Sequence, residues 1–95
     1  MSSASPLSPT VAADLVRSVD VHRAVIPARH LSLVREVCLQ SVALGLELGG
    51  DTVGVRAMRA RSSAGVLLGL VCPWLDVTTR DDLAVVCWEA ARSAR

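Results

Sequence analysis

An all-α fold, a small bundle of three to four helices, is what this sequence predicts. Three observations carry the expectation. Apolar residues recur at helical spacing along most of the chain, hydroxyl, proline and glycine residues punctuate the ends of those runs, and the composition is that of a folding chain. Apolar residues make up 52% and charged residues 20% of the 95 positions, the reverse of the balance that keeps a chain disordered. That length suits one core, so residues 9–95 are read as a single helical domain behind a flexible Ser/Pro-rich leader, residues 1–8.

Ser8-Pro9 offers an N-cap and a first-turn proline for the first element. Val11, Leu15, Val19, His22 and Ile26 then fall on one helical stripe, although Val19 to His22 also alternates as a strand would. Pro27 ends the segment in either case, because proline disfavours helical geometry in the residue before it.

Ala28 to Leu48 is the clearest helix. Ser32, Glu36, Gln40 and Glu47 make a narrow polar stripe on an otherwise apolar segment, which predicts extensive burial. Gly49-Gly50 supplies left-handed backbone after the last turn, and Asp51-Thr52 can cap the next element.

Thr52 to Cys72 decides the fold class. As strands it is a β-hairpin turning at Arg61 to Ser63, which would make the protein α/β, and Gly54, Gly65 and Gly69 favour that because each costs a helix about 1 kcal/mol. The side chains favour a helix, since Val53, Ala57, Ala60, Ala64, Leu67 and Val71 form an unbroken stripe with Arg56, Arg59 and Ser63 off it. Gly65 and Gly69 then form a smooth notch for close approach of another helix. After Pro73-Trp74, the run Thr78 to Asp82 reads as a helix start with hydroxyl caps and acids in the first turn. Leu83, Val86, Cys87, Ala90 and Ala94 form the core stripe of this last helix.

Net charge is +1, with all ten basic residues Arg, which argues against nucleic acid and anionic membranes as partners. The absence of Lys matches the codon bias of a GC-rich, bacterial genome. The longest uncharged apolar stretch, Ala64 to Leu75, contains Pro73 and falls short of the about 20 residues a membrane span needs. Without a secretory signal pattern, a cytoplasmic location is expected. Cys38, Cys72 and Cys87 are odd in number and lack paired-ligand spacing, which predicts buried thiols and no metal or other cofactor.

Few residues suggest chemistry. Asp81-Asp82 is the only acidic pair and reads as helix capping rather than cation binding. His22 and His30 lie in no catalytic motif, and His22 on its apolar stripe reads as a core histidine. Arg56 and Arg59 share a face and form a basic patch, which reads as a solvated face because no aromatic stacking residues accompany it. Trp88 is the most informative residue. With Val85 it lies off the core stripe of the last helix, with Arg92 one turn on to cover its ring, and Trp74 in the preceding loop is the intramolecular neighbour it could pack against.

Residues 28–95 also resemble the first helices of bacterial class I terpene synthases. The comparable residues are Gly45-Leu46, then Arg56-Ala57-Met58-Arg59 running to Val71-Cys72-Pro73, then Thr79 to Trp88 with Leu83. The resemblance implies a truncated or degenerate helical fragment that is not active alone, since neither the family's aspartate-rich motif nor its second metal motif has a counterpart here. The reading favoured by the residues themselves is a non-catalytic interaction or assembly module, homo-oligomeric or a small subunit of a larger complex. A domain this small buries only about 60 to 65% of its unfolded surface, so some of its apolar residues must face a partner. Val85, Trp88, Arg92 and Trp74 are its expected contact surface.

Overall fold

The computed structural model describes residues 7–48 and 50–94. It contains four helices, α1 (Pro9–Asp20), α2 (Ala28–Leu48), α3 (Val53–Val71) and α4 (Val77–Ser93), and no strand among the described residues. The predicted all-α bundle is what forms, and the hairpin alternative for residues 52–72 does not.

Local chemistry sets most of the boundaries. Ser8 Oγ accepts from the Val11 amide at 3.2 Å with Pro9 in the first turn, as the sequence predicts. Residues 1–6 of the expected leader lie outside the described residues, but Leu7 is half-buried against the core. The first helix stops at Asp20 rather than continuing to Pro27. Turns occupy residues 21–25, and Ile26 alone of the stretch from 21 to 26 is buried. Gly50 takes φ +75°, and Thr52 caps α3 by accepting from the Val55 amide at 3.1 Å.

The start of α4 differs from expectation. Asp76, not a threonine, is the cap: its carboxylate accepts from the Thr79 amide at 3.1 Å and from the Thr79 hydroxyl at 2.6 Å. These bonds hold the Asp76 carboxyl below the usual carboxylate range, the Thr79 hydroxyl contributing most. Asp81 and Asp82 fall in the second turn, exposed, and cap nothing.

Helices α2, α3 and α4 pack against one another, and α1 packs on α2 and α4 but not on α3, so α1 and α3 lie on opposite sides of the α2/α4 pair. Core residues come from all four: Leu15 and Val19, then Val34, Cys38 and Val42, then Ala57, Ala60, Ala64 and Leu68, then Leu83, Cys87 and Ala91. The α3 stripe is shorter than predicted, because Val53 and Val71 at its ends are exposed and Leu68 replaces Leu67 as the fully buried leucine. In α4, Ala91 is buried whereas Val86 and Ala90 are half-buried.

Close helix approach occurs at a glycine that helical spacing does not mark as a packing site. A Cβ on Gly45 of α2 would stand 2.6 Å from the Ala60 nitrogen and 2.7 Å from its Cβ, so glycine against alanine lets the two backbones nearly touch. The expected notch is not a helix seat. A Cβ at Gly65 would meet nothing within 4 Å, and one at Gly69 would meet only the tip of Arg80.

Polar groups inside are matched. Ser41 is buried and donates to the Val37 carbonyl at 2.7 Å. Arg35 of α2 grips Asp20 at the end of α1 through two bonds of 2.8 and 2.7 Å, which holds the Asp20 carboxyl below its ordinary range.

A candidate interaction surface on α2 and α3

The residues expected to form one contact surface separate into two places. On α4, the Arg92 guanidinium lies 4.8 Å from the centroid of the Trp88 ring, the cation–π pair the spacing predicts. Trp88 is half-buried and packs against the core, and Val85 beside it is partly exposed. Trp74, in the α3–α4 connection, stacks on His30 at the start of α2, with centroids 4.6 Å apart. Its partner ring is therefore on another helix, not Trp88.

The basic patch also divides. Arg56 is half-buried and its guanidinium donates to the Gly50 carbonyl at 3.4 Å, closing the α2–α3 turn, while Arg59 is exposed. His22 is half-buried, with Nδ1 3.2 Å from the Ser18 carbonyl. No group of three or more His, Cys, Asp or Glu side chains is arranged to hold a metal ion among the described residues.

The three cysteines are buried free thiols. Cys87 Sγ donates to the Cys38 carbonyl at 3.8 Å, and hydrogen bonding to Cys38 together with burial pushes the Cys87 thiol up. Burial does the same to Cys72. Thiols kept protonated this way are poor nucleophiles.

A longer uncovered apolar ridge lies elsewhere. Met58, Val66 and Leu70 of α3 are 65%, 61% and 73% exposed, against 37% for Val85. With Ser62 they follow one ridge at four-residue spacing. Leu44 and Leu48 of α2 extend it sideways, and between the helices a shallow cavity of about 320 Å³ is lined by Leu44, Ser62, Ser63, Val66 and Leu67. Contiguous exposed apolar surface on a small domain is a candidate contact site. Its signal in the sequence is the presence of apolar residues on more than one side of α3, which the ring at Trp88 overshadows.

A cleft of about 180 Å³ between α1 and α4 brings Asp14 and Glu89 to its edges, but Asp14 is paired with Arg17. No helix among the described residues is long and apolar enough to cross a membrane. In comparison with known proteins, no family model, no curated protein and no solved structure matches this chain.

Proposed function

We propose that this protein is a non-catalytic helical interaction module that docks through the outer face of α2 and α3. The observation that carries the reading is the uncovered ridge of Met58, Val66 and Leu70 with Leu44 and Leu48 beside it. Supporting it, Arg56 is held in a turn and the three thiols are held in the core. The buried thiols suit a reducing cytoplasm. The near balance of ten basic and nine acidic residues, net charge +1, favours a protein partner over nucleic acid.

The test is a variant carrying Met58→Gln, Val66→Gln and Leu70→Gln. It should keep the wild-type melting temperature and lose association, read both as self-association by sedimentation and as capture of partners identified from source cells. A variant that associates as the wild type does would remove the α2/α3 face from the proposal. The paired substitution Val85→Ala, Trp88→Ala is then the next surface to examine.

The resemblance to terpene-synthase helices is a second reading, favoured by helix bounds that keep Gly45-Leu46 inside α2, stop α3 just before Cys72-Pro73, and place Leu83 and Trp88 on α4. On that reading the exposed α2/α3 face would be covered by further helices of a longer protein. A longer reading frame encoding an aspartate-rich motif would establish it.

A further inference from the structure

We propose that α1 is a strap over a helix-binding groove between α2 and α4, opening about residues 21–25 while α2, α3 and α4 stay folded. The groove then takes a partner's amphipathic helix that carries two aliphatic side chains four residues apart and an acid directly after the second. This surface lies across the α2/α4 pair from α3, so the proposal goes beyond the ridge reading and does not rest on it.

The attachment of α1 carries the strap. Helices α2, α3 and α4 all pack on one another, whereas α1 lies on α2 and α4 and is seated by its buried side chains, Leu15 and Val19. Both of its flanks are open. A cleft of about 180 Å³ runs between α1 and α4, and a crevice of about 380 Å³ between α1 and α2 is lined by Ala12, Leu39 and Ala43 with Leu7 and Pro9. Isolated helices shorter than about 12 to 15 residues are marginal in water, and α1 has 12, so it is helical only while seated. The connection belongs to the same unit. The His22, Arg23 and Val25 amides donate to the Val19, Asp20 and His22 carbonyls at 2.9, 3.1 and 3.0 Å, and His22 Nδ1 lies 3.2 Å from the Ser18 carbonyl, so these bonds tie the turns to α1. At buried Ile26 the chain rejoins the core.

The seated helix shows what the groove accepts. Leu15 and Val19 are one turn apart and share a face. Half-buried Leu39 of α2 stands on one side of α1, and Val86 and Ala90 of α4 stand on the other. Apolar anchors at this spacing, set between two helices, are the pattern by which a groove reads an amphipathic helix. Arg35 adds direction, because its guanidinium grips the Asp20 carboxylate through bonds of 2.8 and 2.7 Å at one end of the groove. With α1 in place the groove is filled, so the apparent affinity for a second helix is reduced by the fraction of molecules that are open.

Hydrogen exchange of the full chain tests the strap. Amides of α1 and of residues 21–25 should exchange together, about tenfold or more faster than those in the middle of α2 and α4. Leu15→Ala should speed them about a further tenfold and leave α2, α3 and α4 unchanged. A wild type whose four helices exchange in step, or a Leu15→Ala protein in which all four accelerate alike, overturns the strap. A fluorescent peptide of residues 7–26, which carries Leu15, Val19 and Asp20, tests the groove. It should bind the Leu15→Ala chain about tenfold or more tightly than the wild-type chain, and Asp20→Arg in the peptide should remove that gain. Equal binding to both chains, binding to neither, or a gain that survives Asp20→Arg overturns the groove. Adding Met58→Gln, Val66→Gln and Leu70→Gln to the Leu15→Ala chain should leave peptide binding unchanged, and binding lost with the ridge overturns the groove as the peptide's site.

Discussion

Helices α3 and α4 are nearly equal in length, 19 and 17 residues, and pack against each other, yet they turn different surfaces outward. The outer side of α4 carries Asp81, Asp82 and Glu89, with one large ring, Trp88, that its own Arg92 covers. The outer side of α3 carries Met58, Val66 and Leu70 with no such cover. The difference originates in the core. Toward α2 and α4, α3 presents mostly alanine, Ala57, Ala60 and Ala64, which permits the close approach at Gly45 and leaves its longer aliphatic chains on the other side. A seam made mostly of alanine inside a small bundle thus goes with an apolar ridge outside it, whereas α4, which adds Leu83 and Cys87 to Ala84 and Ala91 in its seam, turns mainly polar residues outward beside Val77 and Val85.

The largest expected effect tests that inside-outside division directly. Leu68→Ala should cost about 2 to 5 kcal/mol, since Leu68 is fully buried, and Leu70→Ala, two residues on, should change monomer stability by no more than about 0.5 kcal/mol. Urea denaturation of dilute protein gives both numbers, and equal losses would mean the ridge is packed within the monomer. The glycines come next. Gly45→Ala should destabilise by about 1 to 3 kcal/mol through its clash with Ala60, and Gly65→Ala should stabilise by about 0.5 to 1 kcal/mol. Opposite signs from one chemical change would sharpen the contrast between the seam and the ridge.

Trp88→Ala should cost about 2 kcal/mol, roughly half the loss for a fully buried ring, and Arg92→Ala about 0.5 kcal/mol. A Trp88 variant that keeps full stability but loses association would return the contact surface to α4. The smallest effect is a pH dependence. Asp20 and Asp76 both titrate below the ordinary carboxylate range in the fold, through Arg35 and Thr79 respectively. Their contributions are therefore complete above about pH 4, the unfolded value, and are lost as pH falls through the folded values. Melting temperature should decline on acidification in that window, and Asp76→Asn, which retains a capping oxygen, should flatten the decline with little change at neutral pH.

Helix identity is legible in the sequence where local chemistry acts alone. Ser8-Pro9, Thr52 and the polar stripe of α2 need no tertiary information. The end of α1 is not legible, because an apolar stripe runs on to Ile26 and no stop signal stands at Asp20, where the Arg35 ion pair holds the helix end. At α4 the Thr78-Thr79 pair with its following acids suggests the cap, yet Asp76, the better capping residue, takes it and Thr79 donates back to its carboxylate. Which glycine matters cannot be read from spacing. Gly65 and Gly69 are four apart and Gly45 stands alone, but only the fold decides which one meets a backbone. The contact surface is the least legible part. An aromatic ring is conspicuous in a chain with two of them, while a ridge emerges only after the core has claimed its residues.

The Gly45–Ala60 contact also bears on how the chain reaches its structure. It closes within one hairpin, between helices joined by a short turn, whereas the Cys87–Cys38 contact joins residues 49 positions apart. Local closures lose less chain entropy and form sooner. We expect the α2–α3 hairpin to be largely formed in the folding transition state and α4 to settle afterwards, so that Gly45→Ala slows folding while Cys87→Ala mainly speeds unfolding. Stopped-flow kinetics of the two variants would show it, and an unchanged folding rate for Gly45→Ala would place the nucleus elsewhere. On that order of events the contact of Cys87 with Cys38 forms only when α4 docks, so a brief pulse of alkylating reagent during refolding would mark the moment at which the bundle closes over these thiols.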